Sequence, residues 1–202
     1  KRQIKALAYQ LYENNGVLKR DRVSEYIKKL DQSDRKILRD LGVKFGRYHV
    51  FLYKLIKPEP VSLRTLLWKN HHQKFLNLKP PTFGLNFLND GKIKNKDFML
   101  LCGFEKFNNF YVRIDILERL FVQIINSNTG SLKQIKMMPE MLNLLGCNKE
   151  NFKQLLKIMN YKIVERNNEV FFKYAPKKKI KNENKKDIKE NPFKVLKNLN
   201  FN

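Results

Sequence analysis

The sequence predicts a mostly α-helical chain of the α+β class. A helical module with a short β element spans residues 1–69, a linker 70–96, a three-helix-plus-hairpin domain 97–175, and a basic tail 176–202. Three observations predict this order. Apolar residues recur at helical spacing through both halves. Pro, Gly and Asn crowd the stretch between them. Two aromatic and β-branched runs flank Asn167-Asn168 after the last helical pattern.

In the first module, Ile4, Leu7, Ala8 and Leu11 share one helical face, and Gly16 stands where the chain can leave the helix. Val23, Tyr26, Ile27 and Leu30 repeat the spacing after Asp21, an N-cap candidate. Ser33 or Asp34 can cap a third helix, with Ile37, Leu38 and Leu41 inward and Gly42 at its end. From Val43 to Leu55 the composition favours extended chain, bent into a hairpin around Gly46. Pro58 and Pro60 end it, and Leu63, Leu66 and Leu67 resume a helical face. Pro80-Pro81, Gly84 and Asn89-Asp90-Gly91 then mark the linker.

The second domain reads most clearly. Leu117, Leu120, Phe121 and Ile124 form a first helix. Pro139 suits the first position of a short second helix ending at Gly146. Asn148 can cap a third, with Phe152, Leu155, Leu156 and Met159 at i, i+3, i+4 and i+7. Tyr161–Arg166 and Glu169–Tyr174 then pair across Asn167-Asn168, residues that tolerate positive φ in a two-residue turn. Three helices and a hairpin is the winged-helix order, although non-binding modules also use it. The tail, KKKIKNENKKDIKEN, has the composition of a disordered segment. It closes on Phe193, Leu196 and Leu199, an amphipathic segment that either docks on the body or recruits a partner.

Charge bounds the function class. The chain carries 42 Lys and Arg against 19 Asp and Glu, a net charge of +23. The tail from Ala175 supplies only +6 of it. An AT-rich codon bias explains Lys and Asn but supplies Glu as well, so it does not account for the twofold excess of base. Such a field favours a polyanion, nucleic acid before anionic membrane. The apolar runs are short and broken by charge, so no membrane span is expected. The first residues carry no secretory-signal pattern, and with no initiator Met and a helical pattern already running at Ile4 the chain reads as a fragment. Cys102 and Cys147, 45 residues apart, suggest buried thiols in a reducing compartment. No CxxC or HxxxH spacing brings His49, His71 or His72 to them, so no metal site is expected.

The binding candidates are basic and aromatic. Lys149, Lys153 and Lys157 step by four and form a helical stripe about 40° apart per member. They either follow a phosphate backbone or form a solvated face. Only Asn151 and Gln154 there can read bases, so sequence preference is not expected. Arg166 and Lys173 bracket the hairpin and either track a phosphate ridge or confer solubility. Phe45, Tyr48, Phe51 and Tyr53, interleaved with Lys44, Arg47, His49 and Lys54, either stack unpaired bases or form core. Arg47 stands out because it follows Gly46, where backbone can approach a ligand closely. Asp115 and Glu118 invite an acid/base reading, but an Asp115–Arg119 ion pair and helix-dipole placement explain them without chemistry. No phosphate-binding loop, acidic DExH box or Ser/His/Asp constellation is present, so no catalytic residue is assigned.

Four segments carry a family resemblance: LGVKFGRYHVFLYKLIKPEPVSLRTLLW at Leu41–Trp68, VRIDILERL at Val112–Leu120, MLNLLGC at Met141–Cys147 and NPFKVLKNL at Asn191–Leu199. In matching order they resemble the C-terminal region of bacterial DExH-type superfamily-2 helicases similar to the mitochondrial degradosome RNA helicase. The resemblance implies an accessory region that grips single-stranded RNA or DNA for a motor core in cis. ATP and magnesium would belong to that upstream motor, and this chain would hold no cofactor of its own. It further implies a docked terminal segment; a cytoplasmic protein and a possible nuclease partner are also expected. Two other readings stay open: a stand-alone winged-helix DNA-binding regulator, and a docking module for a nuclease or ribosomal partner.

Overall fold

The structure is a computed structural model and describes residues 1–89, 95–127, 134–166 and 169–176. The expected Asn167-Asn168 turn and the tail beyond Pro176 lie outside these residues. Within them the chain repeats one topology three times. The first unit comprises α1 (Arg2–Glu13), β1 (Val17–Lys19), α2 (Ser24–Lys28), α3 (Gln32–Asp40), β2 (Val43–Phe45) and β3 (His49–Leu52). The second comprises α4 (Pro58–His71), β4 (Phe87–Asn89), α5 (Lys96–Leu101), β5 (Phe104–Phe107) and β6 (Phe110–Arg113). The third comprises α6 (Ile114–Asn126), β7 (Ile135–Lys136), α7 (Pro139–Leu145), α8 (Lys149–Ile158), β8 (Tyr161–Arg166) and β9 (Glu169–Tyr174). Each unit runs helix, short strand, further helix or helices, hairpin. Each sheet is antiparallel with the last strand in the centre: β1-β3-β2, β4-β6-β5 and β7-β9-β8.

The local causes are mostly those expected. Asn148 accepts the Asn151 amide at 2.8 Å and starts α8. Pro139 opens α7, and Gly146 closes it in the left-handed region at φ 69°. Four expectations need correcting. The cap of α3 is Asp31, whose carboxylate accepts the Asp34 amide at 2.7 Å; Asp34 itself is buried and ion-pairs with Lys1. Asp21 lies in a 3-10 turn ahead of α2 and does not cap it. The segment expected as linker supplies β4, which pairs with β6 from Phe87↔Val112 to Asn89↔Phe110. Residues 96–113 supply α5 and the β5–β6 hairpin that pairs with β4, so the third unit begins at Ile114 rather than at residue 97.

Helix α4 also faces the other way. Leu63, Leu66 and Leu67 are 58%, 57% and 59% exposed, and Val61 and Thr65 are buried in their place. The inner face is set by Trp68, whose ring lies 5.4 Å from that of Phe98 on α5. Ile37 and Leu41 likewise face solvent, and Leu38 alone of that trio is buried.

The units share their cores. Phe107, Phe110 and Val112 of the middle sheet pack with Leu117, Phe121, Phe152 and Phe172 of the third unit. Val17 and Phe51 of the first sheet meet Ile114 at the start of α6. This shared packing holds the first hairpin against α6, which is what builds the site. No helix among the described residues is long and apolar enough to cross a membrane.

Candidate nucleic-acid interface

The turn between β2 and β3 is anchored inward. Glu118 on α6 accepts backbone N–H groups from three successive residues: Arg47, Tyr48 at 2.9 Å and His49 at 2.7 Å. The same carboxylate lies 3.0 Å from His49 Nδ1. The Arg20 guanidinium donates to the Gly46 carbonyl at 2.5 Å from the other side. Gly46 is required because a Cβ there would overlap the Glu118 carboxylate. The close approach expected at Gly46 is therefore made by an internal carboxylate, not by a ligand.

That anchoring sorts the aromatic run. Tyr48 is half-buried, its ring edge-on to Phe121 at 4.5 Å, and burial pushes its phenol above the usual range. Phe51 is buried, while Phe45 and Tyr53 are partly so. The run is core, the second of its two sequence readings, and Tyr48 is not free to stack a base. Lys44 and Lys54 are exposed, Lys44 with its ammonium 5.9 Å from the Tyr53 ring, and neither is among the described residues lining the cleft below.

Arg47 has its backbone pinned and its side chain in solvent, with its guanidinium over the Tyr174 ring at 5.6 Å. It lines a cleft of about 590 Å³ together with Ile124, Ile125, Ile135, Tyr161, Lys173 and Tyr174. Arg47 and Lys173, far apart in sequence, thus share one site, and no carboxylate is among its described lining residues. Sequence reasoning missed Ile125, Tyr161 and Tyr174. The pairing of β8 with β9 sets Tyr161 opposite Tyr174 and Lys162 opposite Lys173.

The α8 stripe lies beside the hairpin. Lys149 and Lys157 are exposed, while Lys153 is partly covered and bonds Glu165 of β8 at 2.5 Å. The Lys153 hydrogen bond, with the charges of Lys153, Lys149 and Lys157, holds the Glu165 carboxyl below its ordinary value. Arg166 is exposed at the end of β8, opposite Glu169, which also takes Lys136.

Asp115 pairs with Arg113 through two bonds, at 2.7 and 2.8 Å, and not with Arg119. Cys102 is buried and Cys147 half-buried; burial pushes their thiols up to about 12 and about 11, so both are poor nucleophiles. Among the described residues, no group of His, Cys, Asp and Glu is placed to hold a metal ion.

No known protein family, curated protein or solved structure matches this chain. Its own residues carry the functional reading.

Proposed function

We propose that this chain is a nucleic-acid-binding accessory region of an ATP-dependent helicase, gripping single-stranded RNA or DNA for a motor core. The observation that carries the reading is the convergence of Arg47 and Lys173 on one aromatic-lined cleft with no carboxylate among its described lining residues. Cations so placed attract a phosphate backbone, and the net charge of +23 gives that attraction range.

The topology supports the reading. Helix, strand, helix pair and hairpin with a central last strand is the winged-helix arrangement. On this reading α8 of the third unit would serve as the recognition helix and β8–β9 as the wing. Lys149 and Lys157 then face a backbone, and the scarcity of exposed Arg, Asn and Gln on α8 favours binding without sequence preference. The resemblance of Leu41–Trp68, Val112–Leu120, Met141–Cys147 and Asn191–Leu199 to helicase C-terminal regions supports a motor core in cis. ATP and magnesium would act on that motor, in the cytoplasm, and a nuclease is a candidate partner. A strand held by this region cannot slip back between ATP cycles.

Charge reversal tests the reading. Arg47→Glu combined with Lys173→Glu lowers affinity for single-stranded RNA or DNA by at least about tenfold and reduces the salt slope by about one to two contacts. Unchanged affinity in a folded double variant overturns it.

A further inference from the structure

The geometry points to a single-nucleotide subsite in the cleft between α6 and the β8–β9 hairpin: an unpaired base stacks on Tyr174 while Arg47 and Lys173 hold the adjoining phosphates. The inference rests on the nucleic-acid reading above and specifies which part of the polymer is recognised.

The cleft is the right size and chemistry for such a body. Its 590 Å³ falls within the roughly 300–1,000 Å³ of sites that enclose one small ligand. Its floor is apolar, with Ile124, Ile135 and Tyr161 buried. Its rim is unusually apolar for a chain this basic, with Ile125 52% and Tyr174 41% exposed. Arg47 and Lys173, both exposed, are among its lining residues, and the Arg47 guanidinium lies over Tyr174. A flat apolar body joined to phosphate satisfies both halves, and an unpaired nucleotide is that body. A duplex offers the phosphates but keeps its bases inside the stack.

The Arg47 guanidinium already lies over Tyr174, a planar cation against the ring face a base would take. The Arg47 amide is fixed by Glu118, so only the long side chain needs to move. A base displaces the guanidinium from the ring and delivers its phosphate to the same group, for which guanidinium geometry is suited. Tyr161, edge-on to Tyr174 at 5.3 Å, keeps the platform from collapsing into the vacated space.

The test uses the full chain with RNA and DNA oligonucleotides carrying one internal 2-aminopurine, whose fluorescence falls on stacking, and with matched duplexes. The wild type is expected to quench the probe in single strands and to prefer them to duplex. Tyr174→Ala is expected to lose quenching and at least about fivefold in single-strand affinity, with an unchanged salt slope because no phosphate contact is removed. Tyr174→Phe, which keeps the ring, retains both. Ile125→Trp, which fills the cleft from an exposed position, mimics the loss. If folded Tyr174→Ala quenches and binds single strands like the wild type, the subsite is overturned while the nucleic-acid reading survives. If the wild type binds no oligonucleotide, that reading falls and takes the subsite with it. Comparison of the two oligonucleotide arms tells whether the subsite favours RNA or DNA.

Discussion

Glu118 and His49 meet twice: one carboxylate oxygen takes the His49 amide at 2.7 Å and lies 3.0 Å from its Nδ1. Glu118 belongs to α6 of the third unit and His49 to β3 of the first. The other imidazole nitrogen lies 3.6 Å from Glu105 on β5 of the second, and Lys19 on β1 reaches Glu105 at 2.6 Å. All three units therefore meet at one polar cluster in which both carboxylates and the imidazole are buried. With His49 protonated, two carboxylates face two cations and the cluster is neutral.

Stability should follow the charge of His49. Burial opposes the imidazolium, but hydrogen bonds to Glu105 and Glu118 more than offset it, so its pKa lies above the ordinary 6.5. A raised pKa gives stability that is complete below 6.5 and is lost as pH climbs through the folded value. Glu105 has the opposite sign. Burial favours its neutral form, yet His49 and Lys19 hold it below 4.5, so its contribution is present above 4.5 and lost as pH falls through the folded value. Thermal melts across pH should peak between about 4.5 and 6.5 and decline on the alkaline side. His49→Gln should flatten the alkaline decline; a decline of wild-type size in that variant would contradict the assignment.

Gly46 and Glu118 should be energetically coupled. Glu118→Ala leaves three backbone donors and a buried imidazole without their acceptor, at a cost of roughly 3–5 kcal/mol. Gly46→Ala forces its Cβ into the carboxylate and should cost about 1–3 kcal/mol. In a Glu118→Ala background that second cost should largely vanish. Urea denaturation of the four proteins measures the coupling, and strict additivity would place the clash elsewhere.

The three lysines of α8 should not contribute alike. Lys149 and Lys157 are free to meet phosphates, whereas Lys153 is held by Glu165. Alanine at Lys149 or Lys157 should lower the single-strand salt slope by about 0.7 each, and at Lys153 by clearly less. Glu165→Gln should release Lys153 and raise affinity. Equal slopes for all three single variants would show that the ion pair does not restrain Lys153.

The third unit was legible because its signals are local. The two aromatic and β-branched runs are close in sequence, and with Arg166 opposite Glu169 the antiparallel register sets Tyr161 opposite Tyr174 and Lys162 opposite Lys173. The caps at Asn148, Pro139 and Gly146 are equally local. The threefold repeat was hidden because β1, β4 and β7 are only two or three residues long, too short to show any alternation. They are strands because a later hairpin pairs with them. The site was hidden for a related reason. Glu118 is satisfied by backbone amides some 70 residues upstream, and a backbone amide leaves no trace in residue type. Sequence pattern placed Arg47 and Lys173 as candidates, but only the docking of the first hairpin on α6 made them neighbours.

The most direct test of the central claim is equilibrium binding of the chain to matched single-stranded RNA, single-stranded DNA and duplex DNA across a salt series. The account predicts sequence-independent binding that favours single strands, with a steep salt slope that becomes shallower in the Arg47→Glu, Lys173→Glu variant. Negligible binding to every substrate near about 150 mM salt, where nonspecific protein–nucleic-acid contacts normally persist, would contradict it.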